Sequence, residues 1–177
     1  MQLQSAINPT AYRPLLNVIA KGESNGNYNA YFSNANNTEL RLTEMTIGEV
    51  LVWQKQYVEQ GSRSNAVGRY QIIEPTLLYL VDTLHLSLQS KFDEPMQDKL
   101  AIALMERRGS VEFVKGELTK EEFAHNLSKE WAALPKVVGD RPDESYYAGD
   151  GLNASLISVD ETLKAVNEFE GLVKGNK

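Results

Sequence analysis

Three times along the chain a Thr or Ser is followed three residues later by Glu, and each time an amphipathic run begins: Thr46 with Glu49, Thr119 with Glu122, and Ser158 with Glu161. In such a capping box the hydroxyl accepts from a backbone N–H of the first turn, while the carboxylate accepts from the cap's own N–H. Donors that a helix start leaves orphaned are thereby satisfied. The first box leads IGEVLVWQKQYVEQ, which stops at Gly61; the second leads KEEFAHNLSKEWAAL, which stops at Pro135; the third leads VDETLKAVNEFEGLV. A fourth start, Asn8-Pro9, sets proline at the first helical position ahead of Tyr12, Leu15, Leu16, Val18 and Ile19. Between these, EPTLLYLVDTL is a short helix from Pro75. DEPMQDKLAIALMERRG is a longer one, with Ala101, Leu104 and Met105 inward and Gly109 as its stop. Only residues 30–43, AYFSNANNTELRLT, look extended, and they supply a small hairpin or irregular strands beside the first helix. The pattern predicts a mainly α, α+β chain with a minor β element, in one domain over residues 1–177, without internal repeats.

A length of 177 residues with 42% hydrophobic side chains is enough for a proper core. No stretch approaches the roughly 18 apolar residues of a membrane span, so stable membrane insertion is not expected. The opening MQLQSAINPTAYRP lacks a basic region followed by an apolar run, and no signal peptide is read there. Cysteine is absent, which excludes disulfides, thiolate zinc sites and cysteine nucleophiles. The net charge of −6, with both signs interspersed, leaves no basic patch for a nucleic acid.

The common catalytic signatures are missing: no Walker loop, no dinucleotide glycine fingerprint, no Gly-x-Ser-x-Gly elbow. His85 and His125 stand in unrelated helical segments without a partner at metal-ligand spacing, so neither a metal nor another cofactor is expected. The acidic residues from Glu117 to Glu122 suit a solvated loop and helix start, and Trp53 and Trp131 suit core packing. Residues 136–157 form a Gly/Asp/Tyr-rich loop of a length that in a compact domain serves function or is disordered.

Glu23 stands apart. An arbitrary glutamate belongs on the surface, yet this one follows Gly22 and the apolar run 15–20 and so falls at a helix C-terminus. There the helix dipole disfavours negative charge and favours the protonated form that a general acid needs.

Its neighbours form a pattern. Glu23-Ser24, four residues, then Asn29-Ala30 resembles the catalytic segment of lytic transglycosylases in the lysozyme-like superfamily. Gly68-Arg69-Tyr70-Gln71 resembles that superfamily's second motif, a glycine and a glutamine that line a sugar cleft. GRYQ, MQDKLAIALMERRG and KEWAALP are similar, in the same order, to segments of phage muramidases of the lambda endolysin type, and SYYAGDGLNAS is similar to a tyrosine-glycine loop of phage muramidases. The likeness spans residues 15 to about 155. The segment 43–60 departs from it, being helical where the lambda protein is more extended.

The resemblance implies a lysozyme-like fold that cleaves the β-1,4 bond between N-acetylmuramic acid and N-acetylglucosamine in peptidoglycan. It implies Glu23 as the acid/base, Ser24 and Gln71 as cleft residues that hold substrate or orient Glu23, and Tyr70 and Tyr147 as cleft aromatics. The two-carboxylate scheme needs a second acid. Glu39, Glu44 and Asp143 are available, and each is better read as a surface charge. A lytic transglycosylase needs one glutamate only, so a 1,6-anhydro product is expected. A hydrolytic muramidase of the same fold is the alternative, and an inert glycan-binding or structural phage module is the non-enzymatic one. The resemblance further implies glycan strands as the partner of a monomer made in the cytoplasm and acting at the bacterial wall, free or particle-borne. The loop 136–155 is expected to be ordered, to fold back over the cleft and to place Tyr146 or Tyr147 near Glu23, with adjacent tyrosines for sugar contacts and Gly149 and Gly151 for unusual backbone angles.

Overall fold

The computed structural model describes residues 7–175. Residues 1–6 of the segment in which no signal peptide is read lie outside them. The described residues form α1 (Arg13–Ser24), α2 (Ile47–Glu59), α3 (Glu74–Thr83), α4 (Glu94–Arg107), α5 (Ser110–Val114), α6 (Lys120–Ser128) and α7 (Val159–Gly175), with 3₁₀ turns at Pro9–Tyr12 and Leu42–Glu44. The chain is mainly helical, as its periodicity predicts. It divides into two compact units, residues 7–22 with 102–175, and residues 23–101.

The first unit is built on aromatic packing. Phe113 of α5 and Phe123 of α6 stack at 5.2 Å between ring centroids, and Phe169 of α7 lies 6.3 and 6.2 Å from them. Tyr12, wholly buried, packs on Phe169 at 4.8 Å and places its hydroxyl 2.8 Å from Ser110 Oγ. Its polar end is satisfied, so its ring can be buried without leaving an orphaned group. Asn8 caps the opening turn by accepting from the Thr10 N–H, and Ser158 accepts from the Glu161 N–H at the start of α7.

Two features of this unit differ from expectation. α6 ends at Ser128 rather than running on to Pro135. The Ser128 hydroxyl donates to the His125 carbonyl at 2.6 Å, and Trp131 N–H returns to Leu127 O in a turn. A serine that takes a helix carbonyl competes with the ladder at that point. The extra helix α5 follows α4 directly, because Gly109 at φ 103° both ends one and opens the next. A Cβ there would stand 2.5 Å from Leu118 Cδ1, so the bend admits only glycine without a shift.

In the second unit α2 packs on α3. Both of its predicted boundaries hold: Thr46 and Glu49 form the reciprocal capping box and Gly61, at φ 102°, follows the end. Gln54 is completely buried on the inner face of α2, with Ile47 and Val50. Its Nε2 donates to Asn65 O at 3.0 Å and Ile72 O at 2.9 Å, which pins both flanks of the segment 65–72 to the helix. Trp53 is not a core residue. It is half-buried on α2, stacked on Tyr57 at 4.6 Å and tilted against Tyr31 at 5.2 Å, because its position falls at the edge of the buried stripe. Trp131 is buried, as expected.

The expected β element is reduced to isolated antiparallel bridges, Tyr31 with Asn34 and Val67, and Val67 with Ile72. The physical reason lies in the amides of residues 27–43. Asn37, buried, donates to Asn29 O and Leu40 O and accepts from the Glu39 and Leu40 N–H groups. Asn27 donates to Ala35 O and Asn37 O, and Asn29 Oδ1 accepts from Thr43 N–H. Side-chain amides thus take backbone partners that a strand ladder otherwise supplies.

Candidate functional site

Glu23 and Ser24 are the last two residues of α1, and both belong to the second unit. The helix stops there because Asn25 and Gly26 both adopt positive φ, 51° and 82°. Glu23 is half-buried at this end. Ser24 is 1% exposed, and its hydroxyl donates to Arg69 O at 2.7 Å.

Arg69 lies in the turn Gly68–Gln71, closed by paired hydrogen bonds between Val67 and Ile72 at 3.1 and 2.9 Å. Gly68, at φ 79°, donates its N–H to Ala30 O at 2.7 Å, which seats the turn against the segment that follows Glu23. Gln71 takes φ 47°, uncommon outside glycine, and both its backbone N–H and its Nε2 donate to Gly68 O. The two sequence motifs, Glu23-Ser24 with Asn29-Ala30 and Gly68–Gln71, are therefore joined by direct bonds.

The centre of the junction is a cluster of two tyrosines, an arginine and a carboxylate. Tyr28 and Tyr70 meet edge to face at 6.4 Å, and both hydroxyls donate to Asp98 Oδ1 of α4, at 2.9 and 2.5 Å. The Arg69 guanidinium lies 5.1 Å over the Tyr28 ring and 5.4 Å over the Tyr70 ring, and its Nη1 donates to Tyr70 Oη at 2.6 Å. Burial, and then the bond to Asp98, push both phenol pKa values up. At neutral pH the two tyrosines are donors, and the carboxylate between them is their acceptor.

Ser24, expected as a cleft residue that holds substrate or orients Glu23, and Tyr70, expected as a cleft aromatic, are both 1% exposed. Their polar atoms are turned to Arg69 and Asp98, so neither offers an open surface to a sugar. Tyr146 and Tyr147 lie in the first unit with exposures of 46% and 39%. Their rings meet edge to face at 5.2 Å, Tyr146 lies 5.9 Å from His125, and Tyr147 donates its hydroxyl to Lys129 O at 2.6 Å. The three acids weighed as a second carboxylate, Glu39, Glu44 and Asp143, are exposed, and Glu44 lies 3.8 Å from Arg41. Among the described residues no group of three His, Cys, Asp or Glu side chains is assembled for a metal ion.

A family model described as Endolysin matches residues 15–149. The chain belongs to the endolysin family. It is a phage cell-wall-lytic enzyme that degrades peptidoglycan. No curated protein and no solved structure matches it. The matched stretch of the endolysin contains Glu23, the Gly68–Gln71 turn, Asp98 and both loop tyrosines. Its place of action is the cell wall, and among the described residues no helix is long and apolar enough to cross a membrane.

Sequence reasoning missed Tyr28, Gln97 and Asp98. One signal was present for Gln97: it heads the stripe that continues through Leu100, Ala101, Leu104 and Met105, all buried. A polar residue at the head of an apolar helix face needs internal partners.

Proposed function

We propose that the endolysin is a lytic transglycosylase of lysozyme-like α+β fold, with Glu23 as its one acid and base. The observation that carries this reading is the position of Glu23: half-buried in the last turn of α1, beside a serine locked onto the Gly68–Gln71 turn. Glu23 protonates the glycosidic oxygen that leaves with N-acetylglucosamine, as positive charge develops at C1 of N-acetylmuramic acid. The resulting carboxylate then takes the proton of the muramic 6-hydroxyl, whose oxygen bonds to C1. The product is a 1,6-anhydro end, and Glu23 is again protonated. No second carboxylate is required, which fits the exposure of Glu39, Glu44 and Asp143.

In this reading Ser24 and Tyr70 hold the site in shape. Gln71 keeps an amide oxygen and a second amide hydrogen, beyond its bond to Gly68, for a sugar N-acetyl or hydroxyl group. Tyr146 and Tyr147 present aromatic faces suited to sugar rings.

Clearing of purified walls by the parent and by Glu23→Gln, followed by mass analysis of the released muropeptides, tests the proposal. The variant keeps the side chain's size and removes the transferable proton, so lysis is expected to fall by about 10²–10⁴-fold with the fold intact. The parent's products are expected to be one water lighter than hydrolysis products. Reducing ends in their place would assign a hydrolytic lysozyme, and a Glu23→Gln variant with half the parent activity would remove Glu23 from the chemistry.

A further inference from the structure

We infer that Gln97 is a positioning residue of this site, one that sets the turn Gly68–Gln71 against the segment Glu23–Tyr28; the inference rests on the reading of Glu23 given above. Gln97 lies one turn into α4 and is completely buried. Its Oε1 accepts the Arg69 N–H at 2.9 Å. Its Nε2 donates to Tyr28 O at 3.0 Å and to Phe92 O at 3.1 Å. Both amide hydrogens and the amide oxygen are thus committed, one end to each motif and one to the chain leading into α4. A glutamine can do this because it carries two donors and an acceptor on one rigid plane.

Gly68 shows how closely the parts are fitted. A Cβ at residue 68 would fall 2.3 Å from Gln97 Oε1 and 3.0 Å from its Cδ, so the turn approaches Gln97 at a distance that only glycine allows. Asp98, the next residue, holds the Tyr28 and Tyr70 hydroxyls. α4 therefore grips both motifs twice, by backbone through Gln97 and by side chain through Asp98. Gln97 is completely buried with its amide committed to three backbone groups, so its effect on the reaction runs through the placement of Glu23 and Gln71. Displacement of a reacting group by about 1 Å is enough to cost roughly a hundredfold in rate.

The test compares Gln97→Met, which matches the volume and removes all three bonds, with Gln97→Glu, in wall-lysis kinetics scaled to the folded fraction measured by circular dichroism. Gln97→Met is expected to lose about tenfold or more in kcat, with KM within about twofold of the parent. In Gln97→Glu the neutral acid accepts from Arg69 and donates to one carbonyl, whereas the carboxylate repels both carbonyls. Its turnover relative to the parent is expected to rise severalfold as the pH falls from about 7 to about 5. A folded Gln97→Met variant with kcat within about twofold of the parent overturns the inference. If that variant is unfolded at the assay temperature, Gln97→Glu decides, and a ratio that stays flat with pH overturns it. Glu23→Gln is run alongside. If it stays active, the reading of Glu23 fails; if it is inactive while Gln97→Met turns over normally, only the role of Gln97 fails.

Discussion

The Ser24 hydroxyl donates to the carbonyl of Arg69 at 2.7 Å, joining two residues 45 positions apart in the chain. One of them adjoins the proposed acid and the other sits inside the glycine-glutamine turn. A single bond between a helix end and a turn thus relates two motifs that the sequence presents separately.

Ser24→Ala removes that bond. The expected loss of stability is about 1 kcal/mol, typical for one intramolecular hydrogen bond. Wall-lytic turnover is expected to drop more than this loss explains, because the residue next to Glu23 is released from the turn. Denaturant unfolding and lysis rates, measured on the same preparation, separate the two effects. Unchanged turnover per folded molecule would leave Ser24 with packing alone.

The raised phenol values of Tyr28 and Tyr70 set a direction for alkaline stability. The native state holds these protons more tightly than the unfolded chain, whose phenols titrate near about 10. Their contribution is therefore full below about pH 10 and is lost as the pH rises through the folded values. Urea midpoints are expected to decline above about pH 10, with a shallower slope in Tyr70→Phe. An identical slope in that variant would move the alkaline loss to other groups.

Asn37→Asp keeps the shape but replaces two amide hydrogens with a carboxylate oxygen, set against Asn29 O and Leu40 O at the 2.7 Å distances of the parent. Two bonds are lost and two carbonyls face a charge. The expected cost is roughly 2–4 kcal/mol, read as a lower urea midpoint that partly recovers at acid pH, where the new carboxyl is neutral. A variant as stable as the parent at neutral pH would contradict the amide scaffold described for residues 27–43.

Gly22 precedes Glu23 in α1, and a Cβ there would lie 2.8 Å from Ala133 Cβ and 3.0 Å from Ile157 Cγ1. Gly→Ala inside a helix ordinarily gains up to about 1 kcal/mol. Overpacking of this kind costs about 1–3 kcal/mol, so Gly22→Ala is expected to lower the thermal midpoint. A raised midpoint in Gly22→Ala would show that the neighbours yield freely.

What was legible in the sequence was what local chemistry decides. The boxes at Thr46 and Thr119, the stop at Gly61 and the break at Gly109 each depend on residues within one turn of each other. What escaped depended on distant partners. The short α6 follows from a serine taking a carbonyl that the apolar pattern cannot reveal. Trp53 has the spacing of a core residue but stacks at the edge of the stripe on Tyr57. The helix end at Glu23 was legible from the apolar run before it, and the Gly68–Gln71 turn from its motif. The burial of Tyr70 was not visible, because its acceptor, Asp98, comes from a helix 28 positions along the chain.

The replacement of a strand ladder by asparagine side chains in residues 27–43 has a consequence for how the molecule behaves in company. A sheet ends in an edge, and an edge is a row of donors and acceptors ready to pair with another copy of the chain. Here Asn27, Asn29 and Asn37 turn many of those groups inward and occupy them within one segment. Among the described residues the pairing is confined to isolated bridges, so this segment offers a neighbouring molecule no continuous template along which to stack.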